Sequence, residues 1–326
     1  MFNVLITARV FGRYSQEPFR ILENGNCRIA PNPWPGQKLK EAEILSLVAD
    51  VDGIICGEDE ITARVIAAAQ QLKVISKFGV GVDKIDVAAA TERKIAVCNA
   101  PGANSNSVAD MAFCLLLAVA RKLTLADKQV RTGVWQTVVG IELWNKTIGI
   151  IGLGKIGKAV ALRAKGFQMR ILAFDSYPDR DFITRERIEL VSLEELLSQA
   201  DFISLHLPAT PETRGLIGAK ELALTKSGAI LVNTSRGDIV DEAALYTALK
   251  EGRLGGAGLD VFNIEPPDTS SPLFELPNVV VSPHSGAHTV EAINKMGTIA
   301  AQNVVNVLNG IPPIAILNPK VLRKGD

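Results

Sequence analysis

The sequence predicts an α/β protein whose parallel sheets are covered by helices on both faces. Two observations carry this. Short apolar runs, hydrophobic on both faces, alternate with helical patterns from one end of the chain to the other. A sheet with one wet face would instead alternate polar and apolar residues cleanly. A third observation sets the number of domains: 326 residues exceed one ordinary core and suit two.

The runs "VLITARV", "DGIICG", "KVISKFG" and "IAVCNAP" are predicted as buried strands in the first hundred residues. "TIGIIGLG", "RILAFD", "DFISLHLP", "AILVNTSRG", "GAGLDVF" and "NVVVSPH" are the later strands. "MAFCLLLAVA", residues 111–120, spans only about 15 Å as a helix, roughly half a bilayer, so a buried core helix is expected. The pattern from Thr289 to Leu308 is helical and stops at Asn309-Gly310, with prolines at 312 and 313. This last helix is expected to pack on something built earlier, so that a central domain interrupts a first domain completed by the C-terminus.

Composition limits the partners. The 35 basic and 35 acidic side chains cancel, and no basic run is present, which disfavours nucleic acid and anionic membranes. The N-terminal "MFNVLITARV" lacks the basic flank, apolar block and cleavage site of a signal peptide. The cysteines at 27, 56, 98 and 114 form no C-x-x-C pair, so reduced thiols and a cytoplasmic location are expected.

The strand "TIGIIGLG" runs into Gly152-Leu153-Gly154-Lys155-Ile156-Gly157, a helical pattern comes next, and the following strand ends in Asp175. In that context G-x-G-x-x-G predicts a dinucleotide site. Gly152 allows the tight turn, Gly154 admits a pyrophosphate to the backbone, and Gly157 lets helix pack on strand. The helix N-terminus favours phosphate. Asp175 would accept from the adenosine ribose and repel a 2′-phosphate, so NAD is expected rather than NADP.

Three later strands each end in a group suited to chemistry: Arg236 in "LVNTSRGDIVDE", Asp260 and Glu265 in "GLDVFNIEPP", and His284 in "VVVSPHSG". Parallel sheets bind ligands beyond the carboxyl ends of their strands, where these segments should converge on the glycine loop. A guanidinium can hold a carboxylate with two bonds. An imidazole can exchange a hydroxyl proton near neutral pH, and a carboxylate on its far nitrogen raises its pKa. The set suits hydride exchange between a 2-hydroxy acid and NAD. His288, four residues after His284, could suggest a zinc pair, but Pro283 and Gly286 disrupt the helix such a pair requires. No metal is expected.

With these motifs assembled, the chain resembles the D-isomer-specific 2-hydroxyacid dehydrogenases, particularly their D-3-phosphoglycerate dehydrogenase-like branch. The likeness rests on "FGVGVDKID", "NAPGANSNSVAD", "GIELWNKTIGIIGLGKIG", "DFISLHLPATPETRGLI", "NTSRGDIVDEAAL", "GLDVFNIEPP" and "SPHSGAHT", in that order. The resemblance implies a Rossmann NAD-binding domain, residues 103–287, inserted into a flavodoxin-like substrate domain made of residues 1–102 and 288–326. It implies that Arg236, Glu265 and His284 are the catalytic trio. The cofactor set carried over is Lys155, Ile156, Asp175, Pro208, Thr234, Ser235, Arg236, Asp260, His284 and Gly286, beside the three glycines, with Asp260 on the nicotinamide carboxamide. The Val80 and Gly81 backbone amides, with Arg236 and His284, would face the substrate. A homodimer through the NAD domain is implied.

The pattern departs from phosphoglycerate dehydrogenases, which tend to carry an arginine after the second substrate-domain strand. Here Cys56 and Gly57 precede Glu58, Asp59 and Glu60, acids that would repel a phosphate unless they point outward. Lys77 and Arg13 are candidate replacements for the positive charge. The chain also stops after "VLRKGD", where no serine-sensing domain is expected to follow. D-3-phosphoglycerate is the first substrate expectation, and glyoxylate or hydroxypyruvate reduction the second. A reading of another class is an NAD(H)-sensing, corepressor-like binding protein. Glu265 argues against the formate dehydrogenase branch, which resembles a version with glutamine there.

Overall fold

The computed structural model describes residues 1–322; the final four, 323–326, part of the segment assigned above to the substrate domain, lie outside the described residues. The chain divides into two compact units, one comprising Met1–Asn104 and the chain from Ala287 onward, the other Ser105–Gly286. The borders differ by a residue or two from those read in the sequence. Ala103 and Ala287 both pack into the core of the first unit, so the division falls just inside them.

The first unit carries strands β1 (Phe2–Ile6), β2 (Cys27–Ile29), β3 (Gly53–Cys56), β4 (Val74–Lys77) and β5 (Ala96–Cys98). Between them lie α1 (Glu17–Asn24), α2 (Glu41–Leu45), α3 (Ala63–Ala68) and α4 (Val87–Glu92). The sheet order is β2-β1-β3-β4-β5, with every pairing parallel. This is the flavodoxin-like order. Strand β3, "GIIC", is buried at every position, which is why it lacks polar alternation.

The second unit opens with α5 (Ser105–Ala120) and α6 (Leu123–Arg131). Its strands are β6 (Thr147–Ile151), β7 (Arg170–Phe174), β8 (Glu189–Leu190), β9 (Phe202–Leu205), β10 (Ala229–Asn233), β11 (Leu254–Leu259) and β12 (Val279–Val281). Helices α7 (Lys155–Gly166), α8 (Arg180–Glu186), α9 (Leu193–Gln199), α10 (Ala219–Leu224) and α11 (Glu242–Lys250) connect them. The order is β12-β11-β10-β9-β6-β7-β8, again all parallel. It is the doubly wound Rossmann order, and the winding reverses between β6 and β9. Alternation along the strand splits β9 between two cores: Phe202 joins Phe113 of α5 and Val160 of α7, whereas Ile203 and Leu205 join Leu196 of α9 and Leu245 of α11.

Helix α12 (Val290–Leu308) returns the chain to the first unit. Thr289 caps it by accepting from the Ala292 N–H at 3.2 Å. It lies against α1 so closely that a Cβ on Gly25 would stand 2.4 Å from Val305 Cγ2. Buried amides fasten the rest. Asn303 donates to the Asn99 carbonyl at 3.0 Å, and Asn318 accepts from the Val97 N–H and donates to the Ile95 carbonyl, both at 2.8 Å. Cutting either amide would orphan buried backbone groups, at about 1–3 kcal/mol each.

The sequence reading missed β2 and β8. They are three and two residues long, sit at sheet edges and expose most of their side chains. Neither leaves an apolar run to find.

Candidate active site

The site is built in the second unit from the segments that leave the C-terminal ends of β6, β7, β9, β10, β11 and β12. Strand β6 runs into the glycine loop. Gly152 has φ +95°, and a Cβ there would lie 2.7 Å from the His206 carbonyl oxygen, so the turn requires glycine twice over. Gly154 is the N-cap of α7, with no capping side chain and nothing within 4 Å of where its Cβ would be. Lys155, Ile156 and Gly157 form the first turn. The site thus offers open backbone at a helix N-terminus, which suits a pyrophosphate. Beyond β7, Asp175 accepts from the Leu153 N–H at 2.6 Å and the Tyr177 N–H at 2.7 Å. Its carboxylate therefore braces the glycine loop directly. Beyond β9, the Pro208 carbonyl accepts from the Thr213 hydroxyl at 2.6 Å and closes a turn.

The segment after β10 is held by a residue that the sequence reading did not single out. Asn233 accepts from the Ser235 N–H at 3.0 Å and the Ser235 hydroxyl at 2.8 Å, and donates to the Arg236 carbonyl at 2.8 Å. One buried amide therefore shapes the turn carrying Thr234, Ser235 and Arg236. A Cβ on Gly237 would sit 2.0 Å from the Phe262 carbonyl carbon, so only glycine lets this turn approach the one after β11. That approach brings Arg236 towards Glu265.

Asp260, 1% exposed, organises the segment after β12. Its Oδ1 accepts from the Ser282 hydroxyl at 2.6 Å and the Ser285 N–H at 2.7 Å, and its Oδ2 from the Gly286 N–H at 2.8 Å. Three of about four acceptor positions are thereby used on the loop. The Asp260 carbonyl also accepts from the His284 N–H at 2.8 Å. His284 itself has φ +51°, a left-handed conformation that histidine adopts more readily than most residues.

Held this way, the His284 Nδ1 lies 2.8 Å from Glu265 Oε2, while Glu265 Oε1 accepts from the Phe262 N–H at 3.1 Å. The hydrogen bond to Glu265 raises the His284 pKa above its ordinary 6.5; burial opposes it, the Glu265 charge adds to it and Arg236 subtracts. Burial pushes Glu265 upward, but the bond to His284, the two nearby positive charges and the Phe262 N–H outweigh it, leaving the carboxyl below its ordinary value. Arg236, whose guanidinium donates to the Ser235 carbonyl at 2.7 Å, is thus close enough to act on both. Nδ1 being engaged, Nε2 is the ring nitrogen left to exchange a proton with a ligand.

In the first unit, Val80 and Gly81 follow β4 in a segment tied to the end of β5: Asn99 donates to the Val80 carbonyl and the Ala100 N–H to the Gly79 carbonyl, both at 2.8 Å. Two acids of the stretch carry cationic partners from elsewhere in the first unit. Glu58 pairs with Arg9 at 2.6 Å, Glu60 with Lys84 at 3.0 Å, and Asp59 is buried with Oδ1 on the Leu39 N–H at 2.8 Å. Lys77 donates to the Gly57 carbonyl. Arg13 lies over the Tyr14 ring. His288 immediately precedes the Thr289 cap. Among the described residues no group of three or more potential metal ligands occurs, and no helix is long and apolar enough to cross a membrane.

Parallel doubly wound topology, a glycine loop at the switch strand, and an Arg-Glu-His cluster beyond the next strands define a dinucleotide-dependent oxidoreductase site. Residues 113–286 match the family model for the D-isomer specific 2-hydroxyacid dehydrogenase NAD-binding domain. The chain belongs to the D-isomer-specific 2-hydroxyacid dehydrogenase family, whose cofactor is NAD. It is 44% identical over 287 residues to a glyoxylate reductase of Korarchaeum cryptofilum, covering 86% of each chain. It is 47% identical over 300 residues to a D-3-phosphoglycerate dehydrogenase of Methanocaldococcus jannaschii, covering 90% of this chain but 56% of that one. It thus spans little more than half of that relative. The TT0316 protein of Thermus thermophilus superposes with a TM-score of 0.89 at 39% identity, covering 97% of this chain and 99% of the other.

The residues present fit the cofactor. Besides the open backbone at Gly154, two buried polar atoms at neighbouring strand ends have no partner among the described residues, Thr234 Oγ1 after β10 and His206 Nδ1 after β9. Both stand where a doubly wound sheet binds dinucleotides.

Proposed function

We propose that the protein interconverts a 2-hydroxy acid and its 2-keto acid using NAD(H), with Arg236, Glu265 and His284 as the catalytic groups. NAD supplies the acceptor, or NADH the donor, of the hydride. His284 takes the hydroxyl proton on Nε2 during oxidation and returns it during reduction. Glu265 holds the ring in place and stabilises imidazolium, and Arg236 binds the substrate carboxylate. The glycine loop, Lys155, Ile156, Asp175, Pro208, Thr234, Ser235, Asp260 and Gly286 form the cofactor site. The observation that carries the reading is the 2.8 Å contact between His284 Nδ1 and Glu265, with Arg236 acting on both.

The first substrate is D-3-phosphoglycerate. The likeness to phosphoglycerate dehydrogenases supports it, and so does the pairing of Glu58 with Arg9 and of Glu60 with Lys84, which leaves neither as an unmatched negative charge. A second reading, glyoxylate or hydroxypyruvate reduction, is favoured by the relative covered over 86% of its length. The test is NADH oxidation with 3-phosphohydroxypyruvate, hydroxypyruvate and glyoxylate compared side by side. A kcat/KM at least about tenfold higher for the phosphorylated acid, about 1.4 kcal/mol of discrimination, supports the first reading. Preference for glyoxylate or hydroxypyruvate supports the second. Turnover of none of them, with NADH still bound, turns the assignment to an NAD(H)-sensing binding protein.

We also propose a homodimer formed by the second unit. Val130, Val134, Trp135, Val139, Ile141 and Trp144 are all exposed along one stretch of chain, with Trp135 at 87%. Light scattering should give twice the 34.9 kDa chain mass, and a monomer at micromolar concentration would refute it.

A further inference from the structure

We propose that His206 is a further cofactor-binding residue, its Nδ1–H donating to an oxygen of the bound dinucleotide at the switch point between β6 and β9. The proposal rests on the cofactor placement argued above and deepens it.

His206 directly follows β9, and its N–H donates to the Ile151 carbonyl at the end of β6 at 2.8 Å. Its own carbonyl abuts Gly152, so the residue stands beside the glycine loop. Alternation puts its side chain on the face shared by Phe202 and Ser204. There Nε2 lies 2.8 Å from the Ser204 hydroxyl, whereas Nδ1 is shielded from solvent and has no partner among the described residues.

The tautomer follows from this arrangement. Burial pushes the His206 pKa down to about 3, so the ring is neutral near neutral pH and carries one proton. Among the described residues the Ser204 hydroxyl makes no other hydrogen bond, and its proton has only Nε2 to go to. Nε2 is therefore the acceptor, and the ring proton sits on Nδ1. The reverse arrangement would leave both the hydroxyl proton and the Nδ1 lone pair unmet. A buried donor without an acceptor is costly and calls for a partner from outside the chain. Thr234 Oγ1, orphaned at the end of the adjacent β10, points to the same crevice by its position. Phosphate and ribose oxygens are acceptors that a dinucleotide brings to that place.

The test uses the three histidines of the chain, whose imidazole signals are few enough to resolve by long-range proton–nitrogen NMR. His206 should appear as the Nδ1–H tautomer, unresponsive to pH between 5 and 8 because its pKa is about 3. Its Nδ1 signal should move on addition of NADH. An Nε2–H tautomer, or an unmoved signal in protein that binds NADH, overturns the proposal alone; failure of the wild-type protein to bind NADH sinks the cofactor placement with it. Two variants add a second readout. Asparagine places its amide nitrogen near the Nδ1 position, while glutamine reaches towards Nε2. NADH affinity, measured by fluorescence, should stay within about threefold for His206→Asn and fall on the order of tenfold for His206→Gln. Equal loss in both variants, tracking their melting temperatures, means a structural role only and refutes the proposal, as does no loss in either.

Discussion

Glu265 Oε2 and His284 Nδ1 lie 2.8 Å apart across nineteen residues of sequence, and this contact sets the protonation of both groups. Each side chain arrives from a different strand, and each is independently braced, Glu265 by the Phe262 N–H and His284 by the loop that Asp260 holds. Because the pair shifts in opposite directions, its contribution to stability is complete between about pH 4.5 and 6.5. It fades as pH falls through the lowered Glu265 value and as pH rises through the raised His284 value.

Glu265→Gln replaces the charge-assisted hydrogen bond that raises His284 with a neutral one and removes the Glu265 charge that adds to it. Keto-acid reduction requires the imidazolium, so in the wild-type protein it should persist to a pH above 6.5 before falling. In the variant the same fall should occur at lower pH, because a neutral amide supports imidazolium less than a carboxylate does. The pH profile of kcat/KM for reduction measures this, and superimposable profiles would contradict the role given to Glu265.

For His284, asparagine is the informative replacement because it tolerates the left-handed backbone at φ +51°. His284→Asn should lower kcat by roughly 10²–10⁴-fold, the usual worth of a positioned acid/base. NADH affinity should change little, since His284 is one of many residues in the proposed cofactor set and its main role is on the proton. Undiminished turnover would remove His284 from the chemistry.

Asp260→Ala should act on structure and rate together. The substitution orphans the Ser285 and Gly286 N–H groups and unties the loop that carries His284. A loss of about 3 kcal/mol in denaturant unfolding is expected for these charge-assisted bonds. The rate should fall as well, because the imidazole is no longer aimed. A variant as stable as wild type would show that the loop needs no such anchor.

Asp175→Ala should relax the preference for NAD over NADP by on the order of tenfold, about 1.4 kcal/mol, through lost repulsion of the 2′-phosphate. NAD affinity should also drop, since Asp175 braces Leu153 in the glycine loop. Comparison of the two reduced cofactors by fluorescence titration decides it. An unchanged ratio would place the ribose contact elsewhere.

Much of this architecture is legible in the amino-acid sequence. The other ten strands announce themselves as apolar runs, and the glycine loop is recognisable because strand, turn, helix and Asp175 occur in order. Strands β2 and β8 are not legible: "CRI" and "EL" are short edge segments most of whose side chains face solvent, so no apolar pattern marks them. Asn233 also escapes notice, because an asparagine after a strand carries no signal until its three bonds to the Ser235–Arg236 turn are seen. The acids at 58–60 mislead in the sequence as a block of negative charge. Arg9 and Lys84, remote in the chain, neutralise two of them.

By itself the sequence determined the kinds of chemistry available and the α/β class, because hydrophobic period and turn residues act over a few neighbours. Tertiary structure alone decided which groups meet. It set Glu265 against His284, drew Arg236 in through the close approach at Gly237, and left the His206 Nδ1 unmatched beside the glycine loop. The physical reason is that these contacts depend on the order of strands in the sheet and on packing closed to a few tenths of an ångström, and neither is written in any local stretch of chain.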